Sequence, residues 1–490
     1  MNIKNQVQLI TYPDSLGGDL IKLNYILEYY FSGLCIGGIH ILPPFLSSGD
    51  RGFAPLQYSE IDPKFGSWDA IKQIGENYPV FLDLMINHIS AKSHYFQDFL
   101  AKGRQSDYAD LFITLEKIWP DGIPQKDDIE QIFLRRAEPF STYTIQQTGR
   151  VEKVWTTFGK TSPSEQIDLD IQSPLTRKFL KDILTIFSFN NVKLVRLDAI
   201  GYVIKKPGTT CFFVEPEIYD FLRWISDLAH SMNLEILPEI HAESQTQFQL
   251  AKNGFWIYDF ILPYSILDAF INKTFKRLKE YLLIRPTNQF TMLDCHDGVP
   301  LKPDVNGLYR STDAQNVIDT CLQRGANLSY VLSPKHQDAD GFNVHQIRGS
   351  YYSMLDCNDV AYLAARAIQF FTPGIPQVYY VGLLAGKNDV EAVRRSGEGR
   401  EINRHNYTID EIDQAMSQTV VSKLIDLIKF RNTYPAFNGR FKVGISDDNE
   451  LNLSWMNGDL STKLVVKLTP LSAMITYNEV GNDEIKVINL

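Results

Sequence analysis

Short, almost continuously apolar runs recur along the chain, and four of them end on a chemically capable polar residue. They are Phe81-Leu-Asp-Leu-Met-Ile-Asn-His88, Lys193-Leu-Val-Arg-Leu-Asp198, Leu234-Glu-Ile-Leu-Pro-Glu239 and Phe290-Thr-Met-Leu-Asp-Cys-His-Asp297. Runs of this length, apolar on both alternating faces, read as buried strands of a parallel sheet. Eight are predicted: Val7–Tyr12, Gly38–Pro43, Val80–Asn87, Lys193–Ile200, Glu235–Ile240, Ile257–Leu262, Thr291–Asp294 and Gln377–Val381. Between several of them the apolar positions switch to helical spacing, as in Pro174–Phe189, Glu217–Met232 and Val360–Phe371. Strand and helix in alternation imply a parallel sheet, and eight such units favour a closed barrel. The predicted fold class is α/β, a (β/α)8 TIM barrel with two inserted subdomains and a small C-terminal β domain.

Two intervals are too long for simple crossovers. The predicted division is a barrel built from 1–88, 171–297 and 359–435, with an inserted subdomain 89–170 after the third strand. A second, loop-rich insertion, 298–358, follows the seventh strand. Long segments after the C-terminal end of a strand usually roof an active site. After a helix at Val420–Asn432, the stretch Phe441–Leu490 alternates with period two between Gly, Asn and Asp turns. It predicts a β domain over 436–490.

The composition fits an ordinary globular protein: 490 residues, 44% hydrophobic and 22% charged. The formal net charge of −10 argues against nucleic acid or an anionic membrane as the main partner. No apolar run approaches the ~18 residues needed to span a bilayer. The N-terminus has no secretory pattern, so a cytoplasmic location is expected. The five cysteines are scattered, without a CxxC pair. No metal site, cofactor or nucleic-acid partner is expected, and either a monomer or a homodimer is compatible with the chain.

Strand alternation places Leu194, Arg196 and Asp198 on one face, and Leu237, Glu239 and His241 on one face of the next run. Charges on the inward face of a buried strand are costly without a role. Three carboxylates at successive strand ends, Asp198, Glu239 and Asp297, match the needs of glycoside chemistry. These are a nucleophile, an acid for the leaving oxygen, and further charge to steady an oxocarbenium-like transition state. Arg196 is expected to keep Asp198 ionised, and Glu239 to need a raised pKa. His88 and His296, each just after a strand, read as ligands for sugar hydroxyls rather than metal ligands.

The stretches Val195-Arg-Leu-Asp198, Glu239-Ile-His241, Leu293-Asp-Cys-His-Asp297 and Asp83 to His88 resemble the signature regions of the α-amylase family of glycoside hydrolases. Other stretches resemble its sucrose phosphorylase subfamily, among them Gly66-Ser-Trp-Asp69, Gln377-Val-Tyr-Tyr-Val-Gly-Leu-Leu-Ala-Gly386 and Arg400-Glu-Ile-Asn-Arg-His405. The resemblance implies a retaining double displacement through a covalent glucosyl-enzyme. Asp198 is implied as nucleophile, Glu239 as acid and base, and Asp297 as stabiliser. Asp50, His88, Arg196, His296 and Arg400 are implied to hold the glucose. Phe53 and Phe158 are implied to pack on it, with Gln166 and Tyr202 lining the site.

Phosphorolysis also needs a cationic place for inorganic phosphate. Candidates are Arg135 and Arg136, and the loop Gly341–Arg348 with His345, Gln346 and Arg348. The subfamily typically has Tyr at the position of His345, an uncharged residue at Arg348, and one Arg among prolines near Arg135 and Arg136. These departures resemble the branch that cleaves sucrose 6′-phosphate, yielding α-D-glucose 1-phosphate and fructose 6-phosphate. Arg forks and a His suit a dianion. Plain sucrose, a glucosylglycerate-type acceptor, and hydrolysis remain open alternatives.

Overall fold

The computed structural model describes residues 3–301, 309–332, 343–479 and 482–490. Eight strands form near the predicted runs, the seventh sharing only Thr291 with its predicted range: β1 Gln8–Thr11, β2 Gly38–Ile41, β3 Val80–Met85, β4 Val192–Asp198, β5 Glu235–Pro238, β6 Ile257–Asp259, β7 Gln289–Thr291 and β8 Ile375–Tyr379. They form one parallel sheet in the order β6-β7-β8-β1-β2-β3-β4-β5. The two outer strands lie side by side, so the sheet curls into a nearly closed barrel. Inside it, Phe81, Leu194, Leu237, Tyr258, Phe290 and Ile375 form an apolar cluster of their own. A much larger cluster fills the space between the sheet and its helices.

The register carries the chemistry. Asp83 on β3 lies opposite Arg196 on β4, and Met85 lies opposite Asp198. The inward row therefore turns from apolar to charged within one strand length, just below the C-terminal rim. Helix Pro174–Phe189, with Ser173 capping its N-terminus, packs behind β4 through Leu180, Ile183, Leu184 and Phe187. Helix Asp359–Phe371, buried along nearly its whole length, precedes β8.

The chain between β3 and β4 carries a hairpin, Phe140–Thr144 with Val151–Trp155. It also has its own apolar clusters around Phe96, Phe112 and Tyr143, and around Trp119 and Trp155. Between β7 and β8 lies a three-stranded antiparallel sheet whose central strand is Val344–Arg348. The sequence reading treats this stretch as a loop. In the structure Val344, Gln346 and Ile347 are buried, His345 and Arg348 half-buried, and the segment pairs on both edges. Gly341 and Phe342 of that predicted loop lie outside the described residues.

At the C-terminus, Arg440–Val443, Glu450–Asn457, Leu460–Leu468, Leu471–Glu479 and Asn482–Asn489 form a five-stranded antiparallel meander. Its inner face packs against helix Asp359–Phe371, where the Trp455 indole N–H donates to the Phe371 carbonyl at 2.7 Å.

Candidate active site

One guanidinium organises the floor of the site. Arg196 is buried, and its Nη1 donates to Asp83 and, at 2.9 Å, to Asp198 Oδ1. Its Nη2 lies 3.1 Å from Glu239 Oε1. Asp83 is also held by His40 Nε2 at 2.8 Å. Asp83 is fully buried, yet the charges of Arg196 and His40 hold its carboxyl below the usual range. Ala199, in the left-handed region at φ 55°, ends β4 and turns the chain sharply after Asp198. The Glu239 N–H donates to the Leu197 carbonyl at 3.1 Å, fixing the two carboxylates on neighbouring strand ends.

The electrostatics differ from the sequence expectation. Burial raises Asp198 to about 8, against the pull of Arg196 and with the repulsion of Glu239, Asp83 and Asp297. Glu239 is held low despite burial, by Arg196 and then His241. The expectation assigned Arg196 to Asp198 alone. In the structure three carboxylates share it, and they cannot all ionise at neutral pH. Asp198 and Glu239 therefore titrate as a pair that keeps one proton until about pH 8.

Above this floor is a cavity of about 130 Å³ lined by Asp198, Glu239 and Asp297 together with Asp50, Phe53, His88, Phe158, Gln166, Tyr202, His296 and Arg400. The tight turn Asp50–Gly52 presents Asp50 and Phe53. Gly52 has φ +105°, and a Cβ there would meet the Pro43 carbonyl oxygen at 2.4 Å. His88 Nε2 lies 2.9 Å from the Phe53 carbonyl, and the Gln166 amide donates to the same oxygen at 3.2 Å. With His88 Nε2–H donated there, its buried Nδ1 and Gln166 Oε1 are left without partners. They can accept from a bound polyol. Phe53 stacks on His296 with centroids 5.0 Å apart. Burial drives His296 down to about 3, so the ring is neutral.

Arg400 donates to Asp50 Oδ2 at 2.8 Å and its Nε lies 3.1 Å from Asp297 Oδ1. Asp297 is held well below the usual carboxylate range, despite its burial, chiefly by the charge of Arg400. Buried Arg404 supports this pair: it donates to Asp50 Oδ1 at 2.8 Å and to the His296 carbonyl at 3.1 Å. Sequence reasoning gave Arg404 no role, although its four-residue spacing from Arg400 was visible.

At the other wall stand Arg135, His345 and Gln346. Arg135 Nη1 donates to His345 Nε2 at 3.1 Å. Burial and then Arg135 push the His345 pKa well down. Arg136 and Arg348, expected here, do not line the cavity. Arg136 is turned away and donates to Thr156 Oγ1 and to the Phe158 and Thr161 carbonyls, holding the segment that carries Phe158. The Arg348 guanidinium lies against Gly399, near enough to feel the charges of Arg400, Asp297, Arg404 and Asp50. Phe212 and His241 complete the lining, and a wider cavity of about 430 Å³ opens beyond His241 and His345. Neither residue was assigned from sequence; His241 could have been, from its spacing of two after Glu239.

Glu239, His241 and Asp297 bring one donor atom each within 4.8 Å of one another, as a metal site would. Arg196 and Arg400 already engage the two carboxylates. A divalent cation would have to enter between two guanidinium groups, so the set is better suited to acid–base work.

Residues 10–275 match the profile described as Alpha amylase, catalytic domain. The sucrose 6(F)-phosphate phosphorylase of Thermoanaerobacterium thermosaccharolyticum is 58% identical over 488 residues, covering 100% of both chains. A glucosylglycerol phosphorylase from Marinobacter adhaerens is 42% identical over 99% of each chain. A sucrose phosphorylase from Streptococcus mutans is 40% identical, covering 98% of this chain and 99% of its own. The crystal structure of sucrose 6F-phosphate phosphorylase from Thermoanaerobacter thermosaccharolyticum superposes with a TM-score of 0.97, covering 100% of this chain and 99% of that one. An α-amylase from H.orenii, 16% identical, shares the fold with a TM-score of 0.68. With its charged strand ends grouped on one barrel rim, the chain belongs to the alpha-amylase family.

Proposed function

We propose that this chain is a retaining glycoside phosphorylase, a glycosyltransferase that reversibly converts sucrose 6′-phosphate and inorganic phosphate to α-D-glucose 1-phosphate and fructose 6-phosphate. Asp198 attacks C1 of the glucosyl unit as Glu239 protonates the departing fructosyl oxygen. The glucosyl-Asp198 ester forms and the C1–O bond breaks. Phosphate then approaches from the face the fructosyl group has left. Glu239 takes its proton, and the phosphate oxygen displaces Asp198. Two displacements retain the α configuration. Asp297 and the neutral rings of His88 and His296 hold hydroxyls, Asp50 and Arg400 fix the far side of the glucose, and Phe53 and Phe158 cover it.

The observation that carries the acceptor assignment is the Arg135–His345 contact of 3.1 Å. Two side chains from separate insertions meet on the wall reached by the leaving group. Among the described residues neither has a carboxylate ion-pair partner. An arginine fork beside an imidazole is suited to a dianionic phosphate, and the dianion would favour the charged imidazole that burial and then Arg135 disfavour. Identity of 58% over the whole chain to a sucrose 6(F)-phosphate phosphorylase supports the same reading. Small molecules suffice as partners, and no helix among the described residues is long and apolar enough to cross a membrane.

Incubation with sucrose 6′-phosphate, with and without inorganic phosphate, tests the reaction type. Glucose 1-phosphate should appear only with phosphate, in equal amount to fructose 6-phosphate. Free glucose at the same rate in both arms would mean hydrolysis and refute the proposal.

A further inference from the structure

Glu239 must carry its proton on one oxygen, and the surroundings of its two oxygens are unequal. Oε1 lies 2.7 Å from His241 Nε2 and 3.1 Å from Arg196 Nη2. Oε2 receives one long contact, from the Ala199 N–H at 3.3 Å. The His241 ring is itself fixed. It stacks on Phe260 with centroids 4.1 Å apart, and the edge of His345 stands 6.2 Å away. Its Nδ1 is buried and unpartnered, which fits the tautomer with hydrogen on Nε2, donated to Glu239.

We infer that His241 is a positioning residue for the proton transfer: with Arg196 it occupies Oε1 of Glu239 and so assigns the transferable proton to Oε2. This deepens the proposed phosphorylase reaction and rests on it. The proton leaves Oε2 for the fructosyl oxygen as the Asp198–C1 bond forms. It returns to Oε2 from phosphate as the phosphate–C1 bond forms and the Asp198–C1 bond breaks. An oxygen that accepts a short hydrogen bond from His241 and faces the Arg196 guanidinium is a poor place for a proton, since a proton there would displace the donor and meet the cation. Without His241, only Arg196 marks Oε1, and the carboxyl can present either oxygen.

The ionisation of Glu239 is set by groups on every neighbouring element. Arg196 and Asp198 come from β4, Tyr202 follows it, Tyr258 sits on β6, and Cys295 and Asp297 follow β7. His241 is the member of this set on Glu239's own segment, and it donates to the carboxylate. Its loss favours the protonated acid, so the alkaline limb of the pH profile moves upward.

The test compares two donors sharing the glucosyl unit, in wild type, His241→Leu and His241→Gln. Sucrose 6′-phosphate needs a proton on its leaving oxygen; α-glucosyl fluoride does not. His241→Leu should lower kcat/KM for sucrose 6′-phosphate by ~10²-fold, the scale of general acid catalysis, and shift its alkaline limb upward. The kcat/KM for the fluoride, which reports only formation of the glucosyl-enzyme, should stay within about threefold, since that step bypasses the acid. His241→Gln keeps an N–H donor and should recover about tenfold of the loss. An equal loss on both donors, or no loss on either, in an enzyme that makes glucose 1-phosphate, would overturn the His241 assignment alone. A wild type that forms glucose 1-phosphate from neither donor would overturn the proposed function as well.

Discussion

Arg196 decides the acid–base chemistry because three carboxylates compete for it. Asp198 and Glu239 keep one proton between them, and the proposed reaction needs that proton on Glu239. Since the pair loses it around pH 8, kcat/KM for the donor should fall as pH rises through that value. A rate flat from pH 6 to 10 would contradict the shared proton. Asp198→Asn removes the proposed nucleophile while keeping its shape, and activity should drop on the order of 10⁴-fold or more. Measured turnover near wild type would exclude Asp198 as nucleophile. Arg404→Leu should raise KM for the donor more than it lowers kcat, because Arg404 touches Asp50 and the His296 carbonyl rather than the reacting carboxylates. Steady-state kinetics separate the two effects.

Much at this scale was readable in the chain. Asp198, Glu239 and Asp297 stand out because period-two alternation has no other use for inward charges at strand ends. The sharing of Arg196 was not readable, since it depends on the β3–β4 register that brings Asp83 opposite Arg196. Nor was the direction of Arg136 and Arg348. A cationic side chain in a connecting segment can face a ligand or its own backbone, and here Arg136 serves the carbonyls of the Phe158 segment.

Elements hold these residues in place, and one staple joins three of them. Lys205, just beyond β4, is buried with its ammonium 2.7 Å from Asp168 Oδ2, 3.0 Å from Asn87 Oδ1 and 3.1 Å from Thr157 Oγ1; it also donates to the Tyr202 carbonyl. Asn87 precedes His88 and Thr157 precedes Phe158. One cation thus ties the end of β3, the insertion and the turn after β4 together around the glucose side. Lys205→Met would leave Asp168 charged and without that partner inside the protein, a loss of about 3–5 kcal/mol for a broken buried pair. A clearly lowered Tm is expected; an unchanged Tm would show that the staple adds nothing. Strand and helix assignments were legible because the apolar periods are strong, as at Pro174–Phe189, which forms over the residues predicted. The central strand Val344–Arg348 was not, because five residues flanked by Asn and Gly give too little pattern to separate a strand from a loop.

At the scale of the whole molecule, separate parts of the chain supply separate parts of the proposed reaction. The barrel rim provides the glucosyl chemistry, the insertion after β3 brings Arg135 and Phe158, that after β7 brings His345, and the segment after β8 brings Arg400 and Arg404. The C-terminal meander packs on barrel helices instead. It covers helix Asp359–Phe371 with Leu451, Leu453, Leu464, Val466 and Ile475, all fully buried. Removing 440–490 should therefore expose that helix and abolish soluble expression rather than change specificity.

The acceptor is where the insertions must overrule the barrel, because the same glucosyl machinery would serve plain sucrose. The ratio of kcat/KM for sucrose 6′-phosphate to that for sucrose, in wild type and in His345→Tyr, measures this directly. The wild-type ratio should lie well above one and fall by at least ~10-fold in the variant, the value of one lost charge-assisted contact. A wild type that prefers plain sucrose would contradict the acceptor assignment.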